Sequence, residues 1–199
     1  GMVLAAGGLP TWGQAVWVTV TMASARTLAM SLNRVIDAES DARNPRTAGR
    51  PLPRGLLSGR AVWLLAAVSL VVMLISAWLL NTLCLALSPL AIIVLVIYPY
   101  TKRFTWLSHG VLGLADGIAP MGGWIAVTGS FALETILVGG VVAAWVGGFD
   151  LIYACQDVEF DRREGLYSVP ARFGIPAALT LSIWTHVAGA ALLATVGWL

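Results

Sequence analysis

Hydrophobic and polar positions along this chain alternate in long blocks, not with the short periods of a soluble helix or strand. Residues 61–101 hold no charged side chain for 41 positions, and residues 173–199 hold none either. A helix needs about 20 apolar residues to cross the hydrocarbon of a bilayer. The first block therefore predicts two membrane-spanning helices, at 61–80 and 83–100, and the second block predicts another.

Three further segments carry only a few charges and complete the set of predicted spans, at 12–36, 106–127 and 135–156. Residues 1–10 are typical of the end of an earlier helix. The pattern thus predicts an all-α, multi-pass transmembrane helix bundle with six whole helices and the end of a seventh. In this interpretation residues 1–199 form a single transmembrane domain.

The composition agrees with lipid as the solvent of this chain. Of the 199 residues, 58% are hydrophobic and 11% are charged, and the mean hydropathy is +0.83. Soluble domains carry about twice that share of charged residues. These values exclude a disordered chain, an ordinary soluble enzyme and a nucleic-acid binder. The expected environment is the lipid bilayer.

The cations are distributed unevenly between the two sides of the predicted bundle. Alternating the spans places eleven of the twelve Lys and Arg residues on one side, at positions 34, 43, 46, 50, 54, 60, 102, 103, 162, 163 and 172. Arg26 is the exception, because it lies within a span. Loops rich in Lys and Arg face the cytoplasm, so this side is predicted to be cytoplasmic.

Two groups of polar residues lie where predicted spans reach the cytoplasmic side. The first group has helical spacing i, i+4, i+8 and contains Asn33, Asp37 and Asp41. The second has spacing i, i+3, i+7, i+11 and contains Asp150, Tyr153, Asp157 and Asp161. Each group therefore shares one helix face. Ionisable residues within membrane segments are costly and usually functional, and carboxylates beside a bound phosphate suit Mg²⁺.

Cations flank these acids. Arg46 and Arg50 follow the first group in a loop rich in proline and glycine, and Lys102 lies in another cytoplasmic segment. Arginine presents a planar fork that matches phosphate oxygens. Acids for metal and cations for phosphate, at a lipid interface, predict a substrate with a diphosphate head and an apolar tail. The alternative is that the acids solvate helix ends and the cations set topology or contact anionic lipid.

The residues resemble the motifs of the UbiA family of intramembrane prenyltransferases. Its first motif, Asn-Asp-x-x-Asp-x-x-x-Asp, is matched by the first group, although Arg34 stands where the family often has Asp. Its second motif is matched by the second group. The stretch from Arg46 to Pro53 and the segment from Tyr98 to Arg103 match two further family segments. After the second motif, Tyr167 replaces one expected cation.

The resemblance implies a chemistry and a larger fold. It implies Mg²⁺-dependent transfer of a polyprenyl group from polyprenyl diphosphate to an aromatic acid acceptor, 4-hydroxybenzoate, in ubiquinone or menaquinone biosynthesis. The family usually has nine helices, so this chain is expected to be a fragment truncated at both ends. The expected location is a bacterial inner (plasma) membrane, with the active site on the cytoplasmic side.

The resemblance also implies roles for individual residues. Metal ligands would be Asp37, Asp41, Asp150, Asp157 and Asp161. Diphosphate would be bound by Asn33, Arg46, Arg50, Lys102 and Arg163. Asp37, Asp150, Tyr153 and Asp157 would be catalytic, with the tyrosine ring orienting a carboxylate or facing the allylic cation.

Arg26 and Asp116 are the polar candidates for the acceptor site. Arg26 is the only cation deep within a predicted span, since Arg34 lies at the cytoplasmic end of its span, and a benzoate carboxylate in an apolar cavity needs a cationic partner. Asp116 is an intramembrane acid that could pair with it or line the pocket. His109 is interpreted as structural, and the glycines of the later spans as sites of close helix packing.

Two other functions stay open at this point. The same chemistry could act on another acceptor, such as a naphthoate, a chlorophyllide, haem or a glycerol phosphate. An ion-coupled membrane transporter also uses intramembrane acids. Against the transporter, both acidic groups are predicted at one face and not at the bilayer midplane.

Overall fold

The computed structural model describes residues 1–198, which form helices and turns and contain no strand. In chain order the helices are α1 (Met2–Ala6), α2 (Trp12–Ile36), α3 (Ala38–Arg43), α4 (Gly59–Leu80), α5 (Thr82–Thr101), α6 (Ser108–Thr128), α7 (Leu133–Ala154), α8 (Val158–Glu164), α9 (Val169–Phe173) and α10 (Ile175–Trp198). Within residues 1–198, six of them are long and apolar enough to cross a membrane: α2, α4, α5, α6, α7 and α10. The all-α prediction with six spanning helices is confirmed.

Local side-chain caps explain where several of these helices begin. At the start of α2, the Gln14 amide N–H donates to Thr11 Oγ1 at 3.2 Å, and the Thr11 amide donates to Gln14 Oε1 at 3.1 Å. Between α4 and α5, Asn81 Oδ1 accepts from the Cys84 amide at 2.9 Å. Such caps satisfy N–H groups that have no partner within the helix. The turn between the two charge-free spans therefore lies where the sequence predicts it.

The connecting segments contain more helix than the charge pattern predicts. The cytoplasmic segment that follows the predicted span 135–156 includes two short helices, α8 and α9. Gly165, with φ of 67°, ends α8, and Ser168 caps the start of α9 by accepting from the Ala171 amide at 3.3 Å. The predicted span 173–199 corresponds to α10, and its last residue, Leu199, lies outside the described residues.

The chain divides into two compact units, one of which comprises Thr11–Pro99. In this unit α2 packs on α4 around Leu28, Leu32, Ala66 and Met73, which are all buried. Thr21 Oγ1 also donates to Ser76 Oγ at 2.8 Å, joining the same two helices. Apolar contacts and one interhelical hydrogen bond therefore hold this unit together.

The other unit contains residues 1–10 and the chain from Tyr100 onward. Here α7 packs against both α6 and α10, and glycine makes the contact with α6 close. A Cβ added at Gly117 would lie 2.6 Å from the Gly139 carbonyl oxygen, and one at Gly113 would overlap the Ala143 carbonyl oxygen. Small residues let membrane helices approach closely, so the expected packing role is confirmed for Gly113 and Gly117. It is wrong for Gly110 and Gly122, where an added Cβ would meet no neighbouring atom within 4 Å among residues 1–198.

We expect Gly117→Ala to lower the stability of this unit by about 1–3 kcal/mol, the usual cost of overpacking. The added methyl group would meet backbone, which cannot move aside as a side chain can. Gly122→Ala is the matched control on the same helix. A Cβ added there would have open space, with no neighbouring atom of residues 1–198 within 4 Å. Thermal unfolding in detergent should show a lower midpoint for the first variant alone. Equal midpoints would contradict the packing argument.

Candidate functional site

The first acidic motif crosses a junction between two helices. Asn33 lies in the last turn of α2, Asp37 lies between α2 and α3, and Asp41 lies in α3. The Asp37 amide donates to the Asn33 carbonyl at 2.9 Å, and the Asp41 amide donates to the Asp37 carbonyl at 2.7 Å. Helical i, i+4 spacing therefore continues through the junction, and the three side chains keep the common face that their spacing predicts.

Side-chain hydrogen bonds and ion pairs join the residues of this first motif to each other and to nearby arginines. Asn33 Nδ2 donates to Asp37 Oδ2 at 3.3 Å, and the whole Asp37 residue is only 2% exposed. Asp41 is 7% exposed. Both oxygens of its carboxylate accept from Arg50 Nη1, at 2.7 and 2.6 Å. Arg34 Nη1 lies 3.7 Å from Asp41 Oδ2. A buried carboxylate in this motif thus has two arginines beside it.

The loop after α3 folds back on the motif through its own polar side chains. Asn44 is buried, and its Oδ1 accepts from the Arg46 amide at 2.9 Å. Thr47 Oγ1 donates to the Asp41 carbonyl oxygen at 3.0 Å. These contacts close the turn that returns Arg50 to Asp41. The arginine in the position where the family often has Asp, Arg34, joins the same group.

The second acidic motif also crosses a change in helix geometry. Asp150 and Tyr153 lie in α7, Asp157 ends a single 3₁₀ turn at Cys155–Asp157, and Asp161 lies in α8. Asp161 Oδ2 accepts from Ser168 Oγ at 2.8 Å, so the residue that caps α9 also binds this acid. The Tyr167 amide donates to the Lys102 carbonyl oxygen at 2.7 Å. The segment before α9 therefore connects Lys102 with Asp161.

His109 contacts Asp150, a contact that sequence reasoning missed. His109 Nδ1 lies 2.7 Å from Asp150 Oδ2, and the Val169 amide donates to His109 Nε2 at 3.2 Å. The histidine is 6% exposed, at the start of α6. The two residues of the pair are 41 positions apart in sequence, so no local spacing could have joined them.

The remaining predicted site residues occupy varied positions. Tyr153 is 45% exposed, and its ring stacks on that of Phe149 with 6.2 Å between centroids. Arg163 lies over the Phe160 ring, 5.5 Å from its centroid. Arg26 is exposed on α2, and Asp116 is half-buried on α6. These last two belong to different units, and their pairing stays a prediction.

The donor set of each motif suits a hard divalent cation whose coordination is completed by substrate. Within residues 1–198, neither unit gathers three His, Cys, Asp or Glu side chains into a ready-made metal cage. Mg²⁺ is usually bound by one or two carboxylates together with substrate phosphates and water. Asp37 and Asp41 in the first motif, and Asp157 and Asp161 in the second, offer carboxylates of the type that Mg²⁺ prefers.

Comparison with known proteins decides the family. A model of the UbiA prenyltransferase family matches residues 1–199. The chain belongs to the UbiA prenyltransferase family. As a UbiA family member with six helices able to cross a membrane, it is an integral membrane protein.

Curated relatives extend the family match. The chain is 33% identical over 173 residues to the 4-hydroxybenzoate octaprenyltransferase of Aliivibrio fischeri, a match that covers 87% of this chain and 61% of that protein. It is 32% identical over 174 residues to the protein of the same name from Francisella tularensis subsp. novicida, with 87% and 61% covered. The chain thus spans about three fifths of the length of these relatives.

Solved structures of UbiA homologues have the same fold. An apo UbiA homologue from Aeropyrum pernix K1 superposes with a TM-score of 0.91 at 36% identity, covering 98% of this chain and 75% of that one. A UbiA homologue from Archaeoglobus fulgidus bound to GPP and Mg²⁺ has a TM-score of 0.73 at 22% identity, covering 94% and 67%. The second resemblance is evidence for the fold alone.

Proposed function

We propose that this protein transfers a polyprenyl group from polyprenyl diphosphate to an aromatic acid, 4-hydroxybenzoate, in a reaction that requires Mg²⁺. The observation that carries the proposal is the pair of acidic motifs, each at the end of an apolar helix. Relatives named 4-hydroxybenzoate octaprenyltransferase support the acceptor, and the Archaeoglobus fulgidus homologue, which has the same fold, itself binds GPP and Mg²⁺, a donor and a metal of the classes proposed here.

The proposed metal ligands are Asp37, Asp41, Asp150, Asp157 and Asp161. When bound, Mg²⁺ would neutralise charge that develops on the departing diphosphate. The proposed diphosphate ligands are Asn33, Arg46, Arg50, Lys102 and Arg163. Their donors bind phosphate oxygens and hold the allylic carbon–oxygen bond in place for cleavage.

The proposed reaction needs no reagent besides the two substrates and the metal. The allylic C–O bond breaks, and its electron pair leaves with diphosphate. The ring carbon ortho to the phenol attacks the allylic cation and forms a new C–C bond. The ring proton passes to a motif carboxylate or to the released diphosphate. Tyr153 faces the cation and stabilises it through its ring, and the apolar helices exclude water that would otherwise trap it.

The charge distribution supports a location for this chemistry. Both motifs lie next to the segments that hold eleven of the twelve Lys and Arg residues. Such segments stay on the cytoplasmic side of a bacterial inner membrane. The proposed active site therefore opens to the cytoplasm, where a water-soluble aromatic acid can enter, while the polyprenyl tail stays in the bilayer.

The direct test is an assay of the protein in liposomes with radiolabelled polyprenyl diphosphate and a panel of aromatic acids. We expect a labelled lipid product with 4-hydroxybenzoate and Mg²⁺, and none when EDTA removes the metal. A product with a naphthoate, a chlorophyllide, haem or glycerol phosphate instead would keep the chemistry and replace the acceptor. Mg²⁺-independent product formation would overturn the proposal.

Arg26 is the proposed partner of the acceptor carboxylate. Arg26→Gln should raise the KM for 4-hydroxybenzoate about tenfold or more, because a hydrogen bond to a charged group contributes about 1.5–3 kcal/mol. The KM for polyprenyl diphosphate should change little, since Arg26 lies seven residues from Asn33, two helical turns away. Steady-state kinetics with each substrate varied in turn measures both constants.

Two controls sharpen this measurement. Arg26→Lys keeps the charge and should lose less than Arg26→Gln. An acceptor analogue with an amide in place of the carboxylate should react with Arg26→Gln and the unaltered protein at similar KM. If both substrates lose affinity equally in Arg26→Gln, the arginine supports the fold or the diphosphate and not the acceptor.

A further inference from the structure

His109 bridges two parts of the second unit that are far apart in sequence. It lies at the start of α6, nearly buried. One ring nitrogen contacts Asp150 on α7 at 2.7 Å, and the other contacts the backbone of Val169 at the start of α9 at 3.2 Å. Close packing makes this reach possible: a Cβ added at Gly147, three residues before Asp150, would lie 3.2 Å from the His109 carbonyl oxygen.

The two contacts together fix which ring nitrogen carries the proton. A backbone N–H can only donate, so Nε2 must present a lone pair to the Val169 amide. The proton of the neutral ring is then on Nδ1, which donates to Asp150 Oδ2. The Val169 amide, which can only donate, thus sets the tautomer of His109. In that tautomer the Nδ1–H group donates to the Asp150 carboxylate.

The hydrogen bond from His109 Nδ1 restricts the orientation in which the Asp150 carboxylate can bind a metal ion. The hydrogen bond holds Oδ2 and with it the plane of the carboxylate, while the side chain stays 28% exposed. Carboxylates that bind metal are usually oriented by such outer hydrogen bonds, and removing the outer partner costs about 10–100-fold in metal affinity or activity. Without His109, the Asp150 side chain could rotate among its rotamers.

The same bridge reaches Asp161, another acid of the second motif. Val169 directly follows Ser168, whose hydroxyl donates to Asp161 Oδ2 at 2.8 Å. Adjacent residues of one short segment therefore orient both acids: Ser168 holds Asp161 directly, and Val169 holds Asp150 through His109. A shift of this segment would move both carboxylates together.

We propose that His109 is a positioning residue, which fixes the Asp150 carboxylate for metal–diphosphate binding and couples it to the segment that holds Asp161. The proposal rests on the proposed function, because it assigns Asp150 a metal. It does not need the identity of the acceptor or the length of the prenyl tail. Its first requirement, the Nδ1–H tautomer, concerns the protein alone.

The tautomer is measured by ¹⁵N NMR of the histidine ring without any ligand. The chain has two histidines, and His186→Leu leaves His109 as the only one. His186 donates from Nδ1 to the Ser182 carbonyl oxygen at 2.7 Å, and its ring packs edge-on against Trp145 of α7. Neither contact involves a residue of the bridge, and leucine keeps an apolar side chain against α7, so we expect the bridge to stay intact. We expect a protonated Nδ1 and an unprotonated Nε2. The opposite tautomer would overturn the proposal, whatever the protein binds.

The positioning role is measured with Mg²⁺ and inorganic pyrophosphate by calorimetry. His109→Leu should weaken Mg²⁺-dependent pyrophosphate binding about 10–100-fold. His109→Asn should restore most of it, because the asparagine amide nitrogen occupies nearly the position of Nδ1. His109→Gln places its amide near the position of Nε2 and should not restore it. His186→Leu is the matched control and should bind as the unaltered protein does.

The outcomes separate this proposal from the proposed function. If the unaltered protein shows no Mg²⁺-dependent pyrophosphate binding, the proposed function fails. If it binds and His109→Leu binds equally well, the positioning role alone is overturned. If His109→Leu and His109→Asn lose affinity equally, His109 supports packing and does not act through its Nδ1 donor, which also overturns it. Should His109→Leu not fold, the comparison of His109→Asn with His109→Gln and the tautomer measurement still decide.

Discussion

Asp37→Asn and Asp157→Asn should each lower the rate of prenyl transfer by about two orders of magnitude or more. Asparagine has the size and shape of aspartate but no charge, so each change removes the charge of a proposed metal ligand with little effect on packing. Metal stabilisation of a developing charge contributes several kcal/mol, and each 1.4 kcal/mol corresponds to a tenfold change in rate. Single-turnover assays in liposomes, at equal protein amounts, measure the loss.

Each variant has a matched control on a neighbouring acid. Glu39→Gln tests α3, where Glu39 has a side chain 86% exposed and pairs with Arg43 on the helix surface. Glu159→Gln tests α8, where the glutamate is exposed. Both controls remove one negative charge beside a motif and should keep near-normal rates. If the two aspartate variants also keep near-normal rates, the motif acids only solvate helix ends.

The long elements of this fold could be predicted because lipid imposes a simple rule on them. Blocks of about twenty residues with few charges correspond to α2, α4, α5, α6, α7 and α10, since a span must be long and apolar. The turn at Asn81 could be predicted because it interrupts the longest charge-free block and its side chain caps the next helix. In these cases the decisive signal is local in sequence.

The breaks at the two motifs could not be predicted from the same signals. Neither Asp37 nor the turn Cys155–Asp157 contains a glycine or proline, the usual marks of a helix end. At the first junction Asp37 accepts a hydrogen bond from Asn33, four residues earlier in the same motif, and this pair of residues does not by itself mark a helix end in a sequence. Helical spacing identified the motif residues and the family resemblance implied their roles, but neither indicated how each carboxylate is held.

Contacts between residues far apart in sequence are the other part of the site that could not be predicted. Arg50 was predicted to bind diphosphate and Asp41 to bind metal, yet in the structure they bind each other. The path of a loop decides that contact, and spacing alone does not give it. His109 and Asp150 meet only because α6 and α7 pack closely through glycine. One sequence shows that glycines are present, but not which residues they bring together.

The Asp41–Arg50 pair yields the prediction with the second largest effect. Arg50→Gln should lower the stability of the protein by about 3 kcal/mol, the low end for breaking a buried pair. The Asp41 side chain is 9% exposed, and Arg34, at 3.7 Å, would remain as a weaker neighbour. The midpoint of thermal unfolding in detergent measures this loss. Arg43→Gln is the matched control, because its pair with Glu39 is exposed and such pairs contribute about 0.5 kcal/mol or less.

The double variant Asp41→Asn/Arg50→Gln separates stability from function. With neither charge present, no uncompensated carboxylate remains, so most of the stability lost in Arg50→Gln should return. Prenyl transfer should stay at least two orders of magnitude below the unaltered protein, because a proposed metal ligand and a proposed diphosphate ligand are both gone. The pair would then hold each other only until substrate arrives, when Asp41 turns to metal and Arg50 to diphosphate. A double variant that regains both stability and activity would show that the pair serves the fold alone, and the roles proposed for Asp41 and Arg50 would be wrong.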